Sequence, residues 1–253
     1  MADAFVDRFA QVACDYAAFR PTYPPALFDW LATIAPARSL AWDCATGSGQ
    51  AAVDLAERFD RVIATDASQA QISRATPHPR VEYRQAPADA SGVPTSSVDL
   101  VTVAQALHWF DVERFFAECD RVLAPGGVLA VWSYGPLHVA GKSVDRVVQD
   151  YYHDIVGPYW PAERALVDSG YASVVLPYPQ LAAPVFEMEA WWTLAELLGY
   201  LGTWSSTAAY REAIAQDPLD LIHHRLAKAW RDPDGVRQVI WPLTALVCRK
   251  GSV

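Results

Sequence analysis

Residues 39–56 read SLAWDCATGSGQAAVDLA. An apolar run ends in an acid, Asp43. Five small residues follow, from Ala45 to Gly49, and then an apolar-periodic stretch with helical spacing. Strand, tight loop and helix in that order make a cofactor cradle at the carboxyl end of the strand. The question the stretch raises is which cofactor it holds.

Outward from this point, short apolar runs alternate with helical periods. RVIATD (61–66) is a buried strand that again ends in an acid, Asp66. SQAQISRA (68–75) predicts a short helix with Ser68 as its N-cap, stopped by Pro77 and Pro79. RVEYRQA alternates as a third strand, and SVDLVTVAQAL holds a fourth. DVERFFAECDRVL spaces Val112, Phe115, Phe116, Cys119, Val122 and Leu123 as one helical face, with Asp111 as N-cap. APGG turns the chain into VLAVWSY, a fifth strand. Later helices are predicted at 142–156, 193–203, 207–215 and 219–230, and VFEMEAWW and VIWPLTALVCR bring the strand count to seven. Strands alternating with helices imply an α/β fold, a doubly wound and mostly parallel seven-stranded sheet of Rossmann-like type, with helical additions at its ligand edge.

Composition narrows the function classes. Of 253 residues, 52% are apolar and 19% charged, enough for a substantial core. The formal net charge of −9, without a Lys/Arg cluster, disfavours a grip on phosphate backbones, so no nucleic-acid partner is expected. Cys14, Cys44, Cys119 and Cys248 are scattered and read as free thiols in a reducing compartment. The N-terminal stretch lacks the apolar run of a signal peptide, and no stretch of about 18 apolar residues predicts a membrane span. A cytoplasmic protein without membrane partners is the expectation. No His, Cys and acid stand at ligand spacing, so no metal is expected.

Three readings of the loop compete. A phosphate loop needs a Lys after its glycines, and none is here. A dinucleotide fold is harder to dismiss: Gly47 to Ala52 satisfies GxGxxG/A, and Asp66 stands where a ribose-binding acid would. S-adenosylmethionine has no pyrophosphate but carries a cationic amino acid end, which an acid at the end of the first strand suits. Asp43 is that acid, and beside a pyrophosphate it would repel. Small residues at Ala45, Gly47 and Gly49 let the backbone approach a ligand. Asp66 serves a ribose in either nucleotide reading, so the loop by itself leaves those two level.

Downstream motifs break the tie. Asp43-Cys44-Ala45-Thr46-Gly47-Ser48-Gly49, Asp66, Val98-Asp99-Leu100-Val101 and Arg121-Val122-Leu123-Ala124-Pro125-Gly126-Gly127 stand in order. Together they resemble the class I S-adenosylmethionine-dependent methyltransferases. Ala45 replaces the first glycine usual in that family's loop. YAAFRPTYP (16–24), AQALHWFD (104–111), YLGTWSS (200–206) and IWPLTALVCRK are similar to the trans-aconitate methyltransferase-like branch, whose members mostly methylate small molecules, several on carboxylates.

The resemblance implies S-adenosylmethionine as cofactor and a small-molecule acceptor, and says nothing of oligomeric state. It implies cofactor contacts from Asp43, Cys44, Ala45, Thr46, Gly47, Gly49 and Gln50 in the first loop, Asp66 and Ala67 after the second strand, and Ala88 and Asp89 after the third. Gln105 and Trp109 follow the fourth strand at the carboxyl edge, placed for the methionine portion and the adenine. His108 beside them is a weak candidate for a catalytic base. Tyr16, Arg20, Tyr23 and Trp204 are candidates for the acceptor site, and Arg20 also for a carboxylate of the cofactor. A single domain is expected: a cover segment at 1–30, a cofactor-binding half at 31–135, a helical substrate or lid region at 136–235 and a last strand at 236–253. The rival functions are an S-adenosylmethionine-binding protein without transfer activity and a dinucleotide-dependent oxidoreductase.

Overall fold

A computed structural model of the chain describes residues 21–252. The expectations for Tyr16, Arg20, Cys14 and most of the cover segment lie outside these residues. Helix α1 (Pro25–Ile34) opens the described chain, with Pro25 in the first turn, where a missing N–H is harmless. Then follow β1 (Leu40–Cys44), α2 (Gln50–Ala56), β2 (Arg61–Asp66), α3 (Gln69–Ile72), β3 (Val81–Gln85) and β4 (Val98–Ala104). A 3₁₀ turn at Leu107–Trp109 leads to α4 (Val112–Val122) and β5 (Leu123–Tyr134). Beyond lie β6 (His138–Val139), α5 (Lys142–Asp150) with a π turn at Tyr151–Ile155, α6 (Arg164–Asp168), β7 (Gln180–Leu181) and β8 (Phe186–Trp192). Helices α7 (Leu194–Gly202), α8 (Ser205–Ile214) and α9 (Asp220–Trp230) and strand β9 (Arg237–Arg249) complete it.

The strand order is β3-β2-β1-β4-β5-β9-β6, with β7 and β8 also bonded to β9. Strands β1 to β5 run parallel, and β9 is antiparallel to β5. The fold is thus the expected Rossmann-like α/β class, but the described residues form nine strands, not seven. The two additional ones, β6 and β7, are two residues long. Two residues carry no periodicity, so neither leaves a signal in the sequence.

By contacts the chain divides into two units. One holds, of the described residues, 21–22, 135–168 and 187–242; the other holds 23–134, 169–186 and 243–252. The second unit carries the parallel strands. Its core is apolar: Ala41, Trp42, Val62, Leu100, Val101, Val103 and Val128 through Trp132 are buried. Helix α4 starts on the Asp111 cap, which accepts from the Arg114 N–H, and lays Phe115 near Trp42 at 6.2 Å between centroids. On the other sheet face Phe28 of α1 and Tyr23 meet the Trp132 ring edge-on. In the first unit Trp204 is the hub of an aromatic cluster with Tyr151, Tyr152, Trp160 and Tyr200. Helix α7 begins on a Thr193/Glu196 capping box.

Two sequence motifs turn out to be framework. Asp99 accepts from the Ser39 and Leu40 N–H groups and so fixes the start of β1 against β4. The Leu123 to Gly127 stretch is a bulge: Val98 faces Leu123, yet Leu100 faces Val128. Gly127 is needed there because a Cβ would sit 2.9 Å from the Ala124 carbonyl oxygen.

Glu118 on α4 is buried and takes the Ser91 N–H and hydroxyl along with the Arg121 guanidinium. Arg121 holds its carboxyl down at about 2. A depressed acid adds stability that is complete above its ordinary value and is lost as pH falls toward the native one. Glu118→Gln should therefore lower the unfolding free energy by on the order of 2 kcal/mol at neutral pH, discounted because Arg121 is partly exposed. Urea unfolding at neutral and acid pH should show the gap between the two proteins closing as pH drops below about 4.

Candidate functional site at the strand ends

Asp43 lies at the end of β1 and is 1% exposed. Its cross-strand partner on β4 is Thr102. The Thr102 hydroxyl donates to one carboxylate oxygen at 2.7 Å, and Thr46 from the loop donates to the other at 2.6 Å. Neither partner is a cation. Burial therefore dominates and pushes the Asp43 carboxyl up from 3.8 to about 6, against the two hydroxyl bonds that lower it. The nearby Asp66 charge raises it slightly further.

Asp66 closes β2 and is half-buried. One oxygen accepts from the Gly47 N–H at 2.9 Å and the other from the Ser68 N–H at 2.8 Å. The acid thereby pins the small-residue loop of β1 to the end of β2. The Thr46 N–H adds a bond to the Thr65 carbonyl, and Thr76 N–H one to Ser48.

The loop turns through left-handed conformations at Ala45, Gly47 and Gly49, with φ of 55°, 57° and 83°. Ala45 carries a Cβ where glycine would be unstrained, a cost of about 1 kcal/mol. Among the described residues, a Cβ on Gly47 would meet nothing within 4 Å. Gly49 is the opposite case. A Cβ there would overlap the Tyr83 hydroxyl, which donates to the Thr76 carbonyl. Cys44 is buried, with its thiol pKa raised well above the ordinary value by that burial. Thr46 is a ligand of Asp43, and Gln50 opens α2.

At the end of β4 the chain strains again. Gln105 has φ of 58°, its N–H bonds the Trp132 carbonyl, and its side chain reaches the Tyr134 carbonyl. Such a conformation is uncommon in a non-glycine residue. Trp109 is 41% exposed, with its ring 4.8 Å from that of His108. His108 Nδ1 lies 2.9 Å from the Tyr171 hydroxyl. Ala67 is exposed and gives its carbonyl to Gln85. Ala88 is half-buried; Asp89 is exposed and 3.6 Å from Arg114.

The second unit thus brings Asp43, Asp66, the small-residue loop, Gln105 and His108-Trp109 to the carboxyl ends of β1, β2 and β4. Tyr23 belongs to this unit but packs on Trp132, with the residue 3% exposed. Trp204 lies in the other unit, at the centre of its aromatic cluster. Tyr171, left unmentioned by the sequence reading, meets His108 only through tertiary structure: it is 63 positions away. Among the described residues no cluster of His, Cys, Asp and Glu suits a metal, and no helix is long and apolar enough to cross a membrane.

The Asp43 geometry predicts a pH-dependent stability gain on neutralisation. Because the native carboxyl titrates above its unfolded value, ionising it costs stability as pH rises from about 4 to 6. Asp43→Asn removes that cost, so at pH 8 it should be more stable than the parent by on the order of 2 kcal/mol, with the gap shrinking toward pH 4. Gly49→Ala should do the reverse at all pH values, losing on the order of 2–3 kcal/mol from strain and the Tyr83 clash. Denaturant melts across pH check both.

Comparison with known proteins agrees with this cradle. The family described as methyltransferase domain matches residues 42–131. A Dictyostelium discoideum protein named as a methyltransferase is 34% identical over 252 residues, covering 97% of this chain and 96% of the relative. A solved structure from Anaeromyxobacter dehalogenans, described as a type II methyltransferase, superposes with a TM-score of 0.87 at 48% identity, covering 91% of this chain and 98% of that one. The [4+2]-cyclase SpnF superposes with a TM-score of 0.51 at 18% identity, covering 98% of this chain and 94% of its own, a likeness of fold alone. The match extends through both units of the chain, and an acid-ended first strand, a small-residue loop and a second acid at Asp66 fit a methyl donor with a cationic amino acid end and a ribose. The chain belongs to the class I S-adenosylmethionine-dependent methyltransferases.

Proposed function

We propose that the chain transfers the methyl group of S-adenosylmethionine to an oxygen of a small organic acid, giving a methyl ester. The observation that carries the site assignment is the paired anchoring of Asp43 and Asp66 on one loop. In this reading Asp43 and the Ala45 to Gly49 backbone hold the amino acid end of the cofactor. Asp66 takes the ribose hydroxyls and Trp109 covers the adenine, with Ala88 and Asp89 at its edge. Gln105 stands toward the methionine portion. The cofactor supplies an activated methyl on a sulfonium. What the protein adds is alignment of the acceptor, exclusion of water and a fixed electrostatic setting, and orientation alone is worth several kcal/mol.

The carboxylate reading is supported by the similarity of residues 16–24, 104–111, 200–206 and 240–250 to the trans-aconitate methyltransferase-like branch. A carboxylate is already a nucleophile and needs no base, which suits an edge whose imidazole, His108, has Nδ1 engaged by a phenol. Tyr16, Arg20, Tyr23 and Trp204 remain the proposed acceptor contacts, with residues 1–30 as a cover and 136–235 as the acceptor region.

Transfer of labelled methyl to a panel of small di- and tricarboxylic acids and phenols tests the reading. An ester releases methanol in mild alkali and an ether does not; an alkali-stable product would overturn the carboxylate assignment. Asp66→Ala should keep the fold and weaken S-adenosylmethionine binding by about 10- to 100-fold, as expected from losing one or two charge-assisted bonds. Calorimetry with S-adenosylmethionine, S-adenosylhomocysteine and nicotinamide dinucleotides reads that change and should show no binding of the dinucleotides.

A further inference from the structure

We propose that Tyr83 is a positioning residue for the cofactor: its phenol braces the loop between β1 and α2 and holds it in one course before S-adenosylmethionine arrives. The inference deepens the site assignment above and rests on it for the cofactor's seat, while the brace itself stands on geometry.

Three successive loop residues are each held by a different group. The Gly47 N–H goes to the Asp66 carboxylate at the end of β2. The Ser48 carbonyl accepts from the Thr76 N–H at 3.1 Å. Gly49 is buried and lies against the tip of the Tyr83 side chain, where a Cβ would overlap the hydroxyl and come within 2.9 Å of the ring. The last two anchors are one device. The Tyr83 hydroxyl donates to the Thr76 carbonyl at 2.7 Å. The residue whose N–H holds Ser48 is therefore held in turn by the phenol that seats on Gly49. Ser48, Thr76, Tyr83 and Gly49 close a circuit through two hydrogen bonds, one steric contact and one peptide bond.

Tyr83 is the rigid member of that circuit. It lies in the middle of β3, in register with Ala64 of β2, so the sheet fixes its backbone. Thr76 is exposed and belongs to the irregular stretch after α3, so it is the member that is carried. The bond has one possible direction, because a carbonyl has no proton to give. Burial, and then the Asp43 charge, push the Tyr83 hydroxyl up to about 12, which keeps it a donor at neutral pH.

The loop needs such a brace because it runs left-handed at Ala45, Gly47 and Gly49. Two of these are glycines, to which many other courses are open. A ligand meets the competent course only in the fraction of molecules that hold it, and its apparent dissociation constant rises as that fraction falls. A loop fixed in advance lowers the ordering cost of binding.

Amide hydrogen exchange and calorimetry on the full chain test this. In the ligand-free parent the Thr76 amide should already exchange far more slowly than an unstructured one. Tyr83→Phe keeps the ring and removes the hydroxyl. It should speed Thr76 exchange while the amides of β1 and β4 stay as slow as in the parent. It should weaken S-adenosylmethionine and S-adenosylhomocysteine by about 5-fold, as expected from losing one hydrogen bond. Saturating S-adenosylhomocysteine should restore the Thr76 protection. The contact with Gly49 has its own check: Gly49→Ala should weaken binding by a smaller factor in a Tyr83→Ala background than in the parent, because the obstacle is gone. A Thr76 amide that exchanges freely in the ligand-free parent, or a folded Tyr83→Phe with parental affinity and parental Thr76 exchange, would overturn the proposal. The parent's exchange decides the matter should the variants not fold. A parent that binds neither ligand fails the site assignment, a result told apart from failure of the brace by the parent's own Thr76 protection.

Discussion

A carboxylate buried without a cation among the described residues is the constraint around which the cofactor edge is arranged. Asp43 costs stability when ionised, and the two threonine hydroxyls that hold it only soften that cost. Thr102 comes from the neighbouring strand and Thr46 from the loop, so the acid can be tolerated only with β1, β4 and the loop all in register. A neutral amide at that point would stabilise the sheet more. Keeping an acid there instead spends stability on a local negative potential, as sites often do.

The second acid works differently. Asp66 is half-buried and satisfied by backbone N–H groups, which sets the loop's path rather than its charge. Between the two acids the backbone must run left-handed three times, and one of those positions is Ala45. The alanine shows that the loop's geometry is imposed by its anchors and not by glycine alone. Gly49 meets a further obstacle, because a neighbouring phenol adds to its left-handed backbone.

Much of this was legible in the sequence because parallel strands buried on both faces read as apolar runs, and an acid stands at or next to the carboxyl end of each of the first two. β1, β2, β8 and β9 fall within two residues of where the runs place them. Helix α3 is shorter than its period implies, at four residues, because two prolines follow soon after and the chain turns early. The VDLV and LAPGG motifs were legible as signatures, but their physical work is in the framework: a strand start tied by Asp99 and a bulge that only Gly127 fits. What stayed hidden needed distance in space. Strands β6 and β7 exist only as pairings with β9, and Tyr171 meets His108 across 63 positions with nothing periodic between them.

The antiparallel pairing of β9 with β5 bears on how the chain is made. Residues 243–249 bond residues 128–134, more than a hundred positions earlier. During synthesis from the N-terminus, β1 to β5 can assemble long before β9 leaves the ribosome. Until then β5 is an edge strand of a parallel sheet, with valine, leucine, alanine and tryptophan along it. Through that interval the nascent protein exposes an apolar, unpaired strand suited to joining another chain, and the arrival of its own last strand closes it.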